Sequence, residues 1–375
     1  MSDPITKTLL PEGLRDLLPP DAAFEAATVD SLCRSFAANG YELVKPPLVE
    51  FEDALLSGVG APMAARIFRM LDPASHRTLG MRADITTQIA RIAGSRLAAA
   101  PRPLRLMYAG PVLRVQGTQL EPERQFTQAG LELIGVADPA ADAEAIVVTV
   151  EALRALGVGG LTVDLSIPTL VRALVPAMSA ALRDALDHKD IALIAAHAGA
   201  AGAALTGLVA ASGPFDRAAA RIAALSLPPA AAAEWAGLAA VAQAVKASLP
   251  DLILTVDPVE NRGFEYHSGI TFSIFAAGSQ REIGRGGRYL LPSGEPATGA
   301  TLLVEPLLAV APRRNGVKRV YAPAGTDRAV VRALQADGWA VVGGLTAADA
   351  PAAAAARLGC SHVIARGAPV AIAKS

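Results

Sequence analysis

Hydrophobic positions along the chain follow two rhythms. Over residues 21–39, Phe24, Leu32 and Phe36 recur at helical spacing, with Asp21 placed to cap the helix and Gly40 to stop it. The segment from Tyr41 to Pro47 reads as a short strand closed by prolines, which cannot donate to a ladder. Leu104 to Arg114 reads as a second strand and Gln116 to Arg124 as a polar connector. Gln125 to Gly135 is its expected antiparallel return.

The pattern changes between 169 and 250. That stretch is Ala-rich and helical in period, and it breaks at Gly213-Pro214 and Pro228-Pro229, so it reads as a helical insertion. Within it, Ile191 to Ala211 carries no Asp, Glu, Lys or Arg, which raises a membrane span. Its Ala and Gly content, its His197 and its lack of an aromatic belt favour a packed helical pair. Strand patterns resume at Ile270 to Phe275 and Arg281 to Ile283. Glycine-rich turns are expected at Gly284-Arg285-Gly286-Gly287 and at Gly294, then a strand and helix over Ala300 to Val310.

Arg313-Arg314-Asn315-Gly316 reads as a boundary. Beyond it, strands at Arg319–Ala322, Trp339–Val342 and 361–365 alternate with helices at Asp327–Asp337 and 349–358. The expected organisation is a core over 1–315, holding the 169–250 insertion, and a small α/β unit over 316–375. Strands and helices come in blocks, so the core is expected to be α+β, an antiparallel sheet flanked by helices.

Composition narrows the function. The net charge is -1, without the basic surplus that phosphate neutralisation demands, so nucleic acid is not expected as the main partner. Cys33 and Cys360 are too few for a disulfide framework or a zinc site. Met1-Ser2-Asp3-Pro4 lacks the order of a signal peptide, and a soluble cytoplasmic chain is expected.

Polar residues on one face of a strand are the first candidate chemistry. Alternation puts Phe126, Gln128, Gly130 and Glu132 together. That face reads either as the polar wall of a cavity, with Gly130 leaving space, or as a solvated sheet face. Met81-Arg82-Ala83-Asp84 ends an apolar stretch in a carboxylate. Arg262 to Gly269 packs Arg262, Tyr266 and His267 into one stretch, and Gly284 to Tyr289 lets backbone approach a small ligand.

In their order these segments resemble the histidyl-tRNA synthetase core. Pro11 to Pro19 is similar to that family's opening, Tyr41 through Glu50 to its motif 1, and Arg114 with Arg124 to Glu132 to its motif 2. Arg262 to Gly269 resembles the histidine-recognition motif, and Gly286-Gly287-Arg288-Tyr289 the element before motif 3. The resemblance spans about residues 9 to 310 and implies a class II synthetase fold, with a dimer interface at motif 1. It also implies an amino-acid pocket. Asp84, Gln128 and Glu132 would hold an ammonium, and Arg114, with Arg262 available for the same role, would face a carboxylate. Tyr266 and His267 would stand at an imidazole side chain. A zwitterion needs both signs, matched, once it leaves water.

The departures from that family point elsewhere for activity. Pro306 stands where motif 3 has the arginine that grips ATP phosphates; Gln116 replaces a glutamate near adenine, and Gly117 and Pro122 replace arginines. Each lost cation can cost a few kcal/mol of barrier. The 316–375 unit is shorter than the family's anticodon-binding domain and is not notably basic. The combination resembles the regulatory subunits of ATP phosphoribosyltransferase. Those are implied to lack catalysis and cofactor, and to work with a short-form ATP phosphoribosyltransferase catalytic subunit in the first step of histidine biosynthesis, with histidine as ligand. The alternative is a divergent amino-acid-activating ligase, motivated by Arg114, Arg262 and Glu132.

Overall fold

The alternation between Leu104 and Gly135 folds as a hairpin in the computed structural model. This describes residues 9–118, 122–260, 267–313, 316–347 and 350–372. Strands of the first unit, Met1–Pro312, are β1 (Glu42–Leu43), β2 (Val49–Phe51), β3 (Arg69–Leu71), β4 (Thr78–Met81), β5 (Leu104–Leu113) and β6 (Gln125–Ile134). They continue as β7 (Thr162–Ser166), β8 (Gly213–Pro214), β9 (Ile253–Asp257), β10 (His267–Phe275), β11 (Gly284–Leu290) and β12 (Pro296–Leu303).

Among the described residues, nine strands form one sheet in the order β1-β5-β6-β12-β11-β10-β7-β9-β8, and β2-β4-β3 form a small one. The large sheet is antiparallel apart from the parallel pairs β1–β5 and β7–β9. Its register aligns Glu132 with Gly299, Gly299 with Gly287, and Gly287 with Thr271, a row across four strands. One face packs into the main core, through residues such as Leu131, Leu165 and Phe272. The Pro139–Ala155 helix covers it. It begins with Pro139 at its first turn, and the Asp138 carboxylate accepts from the Ala140 N–H at 2.8 Å, as good helix starts do.

Several local expectations change. Asp21 is the first residue of the Asp21–Ala38 helix and Pro20 its N-cap; an acid in the first turn suits the helix dipole. The Tyr41–Pro47 strand shrinks to Glu42–Leu43. Arg281–Ile283 is not strand, and Gly284–Gly287 is not a turn but the start of β11. A Cβ at Gly286 would sit 2.2 Å from the Gly299 oxygen and 2.4 Å from the Phe272 ring, so glycine here permits close packing of strands.

The 169–250 stretch is a chain of helices, Pro168–Leu174, Ala180–Asp187, Ile191–His197, Gly202–Ala211, Phe215–Ala223 and Pro229–Ser248, with β8 between. The charge-free run is thus two helices of 7 and 10 residues, each far short of the roughly 20 a bilayer needs. Among the described residues, no helix is long and apolar enough to cross a membrane.

The second unit, Arg313–Ser375, holds a sheet of β13 (Arg319–Ala322), β14 (Ala340–Gly343), β15 (His362–Ala365) and β16 (Ala368–Ala371) in the order β14-β13-β15-β16. The sequence pattern had not marked β16. Helices Arg328–Ala336 and Pro351–Arg357 supply apolar residues to its two small clusters. Arg314 and Asn315, within the expected boundary, lie outside the described residues.

Candidate functional site

A cavity of about 240 Å³ opens on the face of the large sheet opposite the main core. That is below the roughly 300–1,000 Å³ of pockets for drug-sized ligands, and suits a molecule the size of an amino acid. Glu132 stands at its floor, 1% exposed. The Tyr289 hydroxyl donates to its carboxylate at 3.0 Å, and the Thr86 and Tyr108 hydroxyls also bond to it. Burial, with Asp84 adding a little, pushes its carboxyl up to about 8 against the pull of those hydroxyls. Glu132 is therefore mostly protonated at neutral pH.

Glu132 reaches this position because its register partner has no side chain. A Cβ on Gly299 would lie 1.8 Å from the Glu132 Oε2. Gly130 does something different from what the strand pattern suggested. The space above it is filled by the Tyr108 ring, whose hydroxyl would be 2.5 Å from a Cβ there. Tyr108 in turn hydrogen-bonds Thr301 at 2.7 Å and Thr86 at 3.1 Å. The face is thus a cavity wall, and the free space lies beside Glu132 rather than over Gly130.

Asp84 sits at the rim, one oxygen accepting from the Thr86 N–H at 2.8 Å and the other from the Gln128 amide at 2.9 Å. Gln128 is buried and uses its carbonyl oxygen to accept from the Ile85 N–H at 3.1 Å. One side chain thereby ties β6 to the 84–86 turn. Arg114, just past the end of β5, lines the same cavity, its guanidinium 4.3 Å from the centroid of the Phe126 ring. His267, buried at the start of β10, also lines the cavity; its ring lies against Gly287, and its carbonyl accepts from Arg172 at 2.7 Å. Asp84, Arg114, Gln128, Glu132 and His267 therefore meet in one cavity. Arg262 and Tyr266 lie outside the described residues.

Sequence reading missed Met63, Arg66, Arg285 and Thr301 in the lining. Arg285 pairs with Glu282 at 2.5 Å. Thr301 and Arg285 share a register row with Gly130, a signal visible only once strand pairing is known.

Next to the cavity, the space beside Pro306 is nearly closed, at about 10 Å³. That is no more than a single water requires, on the order of 10–15 Å³. Glu305 turns both carboxylate oxygens to the Thr127 N–H, at 2.9 and 3.1 Å. Burial pushes the Glu305 carboxyl up to about 7, with Glu25 adding to the rise. Arg281 and Glu123 pair across the same space at 3.2 Å.

A mainly antiparallel sheet with a two-signed polar cavity on its open face places the chain in the class II synthetase-like fold. A solved chain described as an ATP phosphoribosyltransferase regulatory subunit/histidyl-tRNA synthetase, from Bacillus halodurans, superposes with a TM-score of 0.81 at 23% identity, covering 95% of this chain and 97% of its own. The family model described as histidyl-tRNA synthetase matches residues 13–307. Two proteins named ATP phosphoribosyltransferase regulatory subunit are similar almost end to end. One, from Paramagnetospirillum magneticum, is 55% identical over 96% of this chain and 97% of its own. The other, from Rhodospirillum rubrum, is 51% identical over 98% of each. The chain belongs to the family of ATP phosphoribosyltransferase regulatory subunits, within the wider histidyl-tRNA synthetase family.

Proposed function

We propose that this chain is a cytoplasmic, non-catalytic subunit that activates a short-form ATP phosphoribosyltransferase catalytic subunit in the first step of histidine biosynthesis and carries histidine feedback. The reading rests on one contrast: an amino-acid-sized cavity walled by Asp84, Gln128 and Glu132 opposite Arg114, beside a space at Pro306 too small for nucleotide. Histidine would set its ammonium against the two acids and Gln128, and its carboxylate toward Arg114 and Arg262. Its imidazole would lie near Tyr266 and His267. The chain would pair with a second copy through Tyr41 to Glu50, and tRNA is not among its expected partners.

Feedback then follows from linkage. If histidine binds one state of the assembly better, it shifts the population toward that state by its difference in affinity. The test is to co-purify the chain with a short-form catalytic subunit and assay phosphoribosyl transfer with and without it, then titrate histidine. The expected result is activity that depends on this chain and falls with histidine. Histidine-dependent pyrophosphate exchange by the chain alone would instead favour the ligase reading.

A further inference from the structure

Arg82 is buried, 5% exposed, and two residues from Asp84. Its hydrogen bonds go to neutral acceptors. Nε donates to the Pro111 carbonyl at 2.8 Å, and Nη1 to the Pro46 carbonyl at 3.0 Å and the Gln88 amide oxygen at 3.3 Å. Gln88, fully buried, passes the link on by donating to the Pro47 carbonyl at 2.7 Å. The backbone joins the same bracket: the Arg82 N–H donates to Leu48, and Leu113 N–H to the Arg82 carbonyl. Space for the guanidinium exists because residue 110 is glycine; a Cβ there would stand 2.5 Å from Nη2.

Burying a cation is costly unless its donors are met. Here Nε and Nη1 are met by oxygens from three separate segments. A guanidinium spreads its donors in a planar fork and can hold splayed acceptors at once, whereas an ammonium is a point charge on a flexible stem. Pro46 and Pro47 are followed directly by β2 at Val49–Phe51, whose Glu50 is held by the Arg91 guanidinium. On the other side, the Asp84 carboxylate is fixed to Gln128 in the cavity wall.

We infer that Arg82 is a positioning residue that sets Asp84 for the ligand and transmits occupancy of the cavity to the Pro46–Phe51 segment. This deepens the amino-acid reading above and rests on it. The path runs from Asp84 along the backbone through Ala83 to Arg82, then by hydrogen bonds to Pro46 and, through Gln88, to Pro47. A ligand that tightens Asp84 should therefore slow local opening at β2, none of whose residues lines the cavity.

The test uses the full-length chain, with histidine as the probe. Calorimetry gives affinity, and amide hydrogen exchange with and without saturating histidine gives transmission. In the wild type, histidine is expected to slow exchange in Val49–Phe51 several-fold as well as in the 84–86 turn. In Arg82→Lys, affinity is expected to fall about tenfold or more. At saturation, protection should remain at the turn and vanish from Val49–Phe51. A purely structural role would lower thermal stability without separating those two segments. If Arg82→Lys does not fold, Gln88→Met removes both the Pro47 link and the Gln88 bond to Arg82, leaves the Pro46 bond, and is expected to remove most of the distal protection while largely keeping affinity. No heat in the wild type sinks the amino-acid reading itself. Binding with no protection at Val49–Phe51, or protection that survives in the variants, overturns this inference only.

Discussion

Two neighbouring spaces on the open face of the sheet share Arg114 and Leu303 in their walls and differ in what fills them. In the larger one the polar groups are tied sideways. Asp84 is held by Gln128 and a backbone N–H, and Glu132 by Tyr289. In the smaller one opposite charges meet: Arg281 pairs with Glu123, while Glu305 folds onto Thr127. A polar space stays open when its groups are satisfied by its own walls. It closes when cation and carboxylate can pair over it, because buried charge seeks its nearest match.

The strongest way to break this contrast is Glu132→Gln. The amide keeps the volume but cannot ionise against an ammonium, and histidine affinity is expected to fall about a hundredfold, near the 3 kcal/mol typical of a lost buried charge partner. The empty variant should fold well, since the wild-type carboxyl is already held neutral near pH 7. Calorimetry and thermal melts read both; unchanged affinity would remove Glu132 from the ligand.

Gly299→Ala attacks the same group from the other strand. The new methyl would lie 1.8 Å from the Glu132 carboxylate and must displace it. Overpacking of this kind costs about 1–3 kcal/mol of stability. Histidine affinity should drop with it, by at least tenfold. A stable variant that binds normally would mean the carboxylate has another seat.

Proton counting sharpens the picture further. Because the Glu132 carboxyl is raised from 4.5 to about 8, the folded chain holds more protons than the unfolded one across that window. Stability of the empty protein is therefore expected to fall as pH rises from about 4.5 to about 8. Pairing with an ammonium favours the carboxylate, so binding at pH 7 should release about one proton. Calorimetry in buffers of different ionisation heat measures this, and Glu132→Gln should release none. Equal proton release from both proteins would assign the proton to another group.

How far could this site be read from sequence? The hairpin was legible because two strand-like stretches of similar length flank a polar connector. Side-chain alternation brought Gln128 and Glu132 to one face, but it was the resemblance to the synthetase core that named them, with Asp84, as an ammonium site. Gly284–Gly287 misled, since clustered glycines usually punctuate turns; here they let β10, β11 and β12 lie close, a requirement set by neighbours far along the chain. The same holds for Gly299 and Thr301, whose roles depend on register with β6. Strands β2, β3 and β4 are three or four residues long, too short to show a period. Gly130 was read as space because a missing side chain says nothing of what enters from the next strand, in this case Tyr108.

The smallest expected effect is on the closed side. Pro306→Arg returns a cation to the position where the resemblance places one in the synthetase family. The packing argues against it. Pro306 is buried in the first turn of the Val304–Val310 helix, and the space beside it is about 10 Å³. A guanidinium there would have to displace the Arg281–Glu123 pair or draw Glu305 from the Thr127 N–H. Gly117 and Pro122 would still supply no charge to a triphosphate. Histidine-dependent pyrophosphate exchange is therefore expected to stay at background in both wild type and variant, with stability lower by about 1–3 kcal/mol. Exchange appearing in the variant would mean that a single residue held the nucleotide space shut, and the two spaces would then differ by one side chain rather than by how their charges are paired.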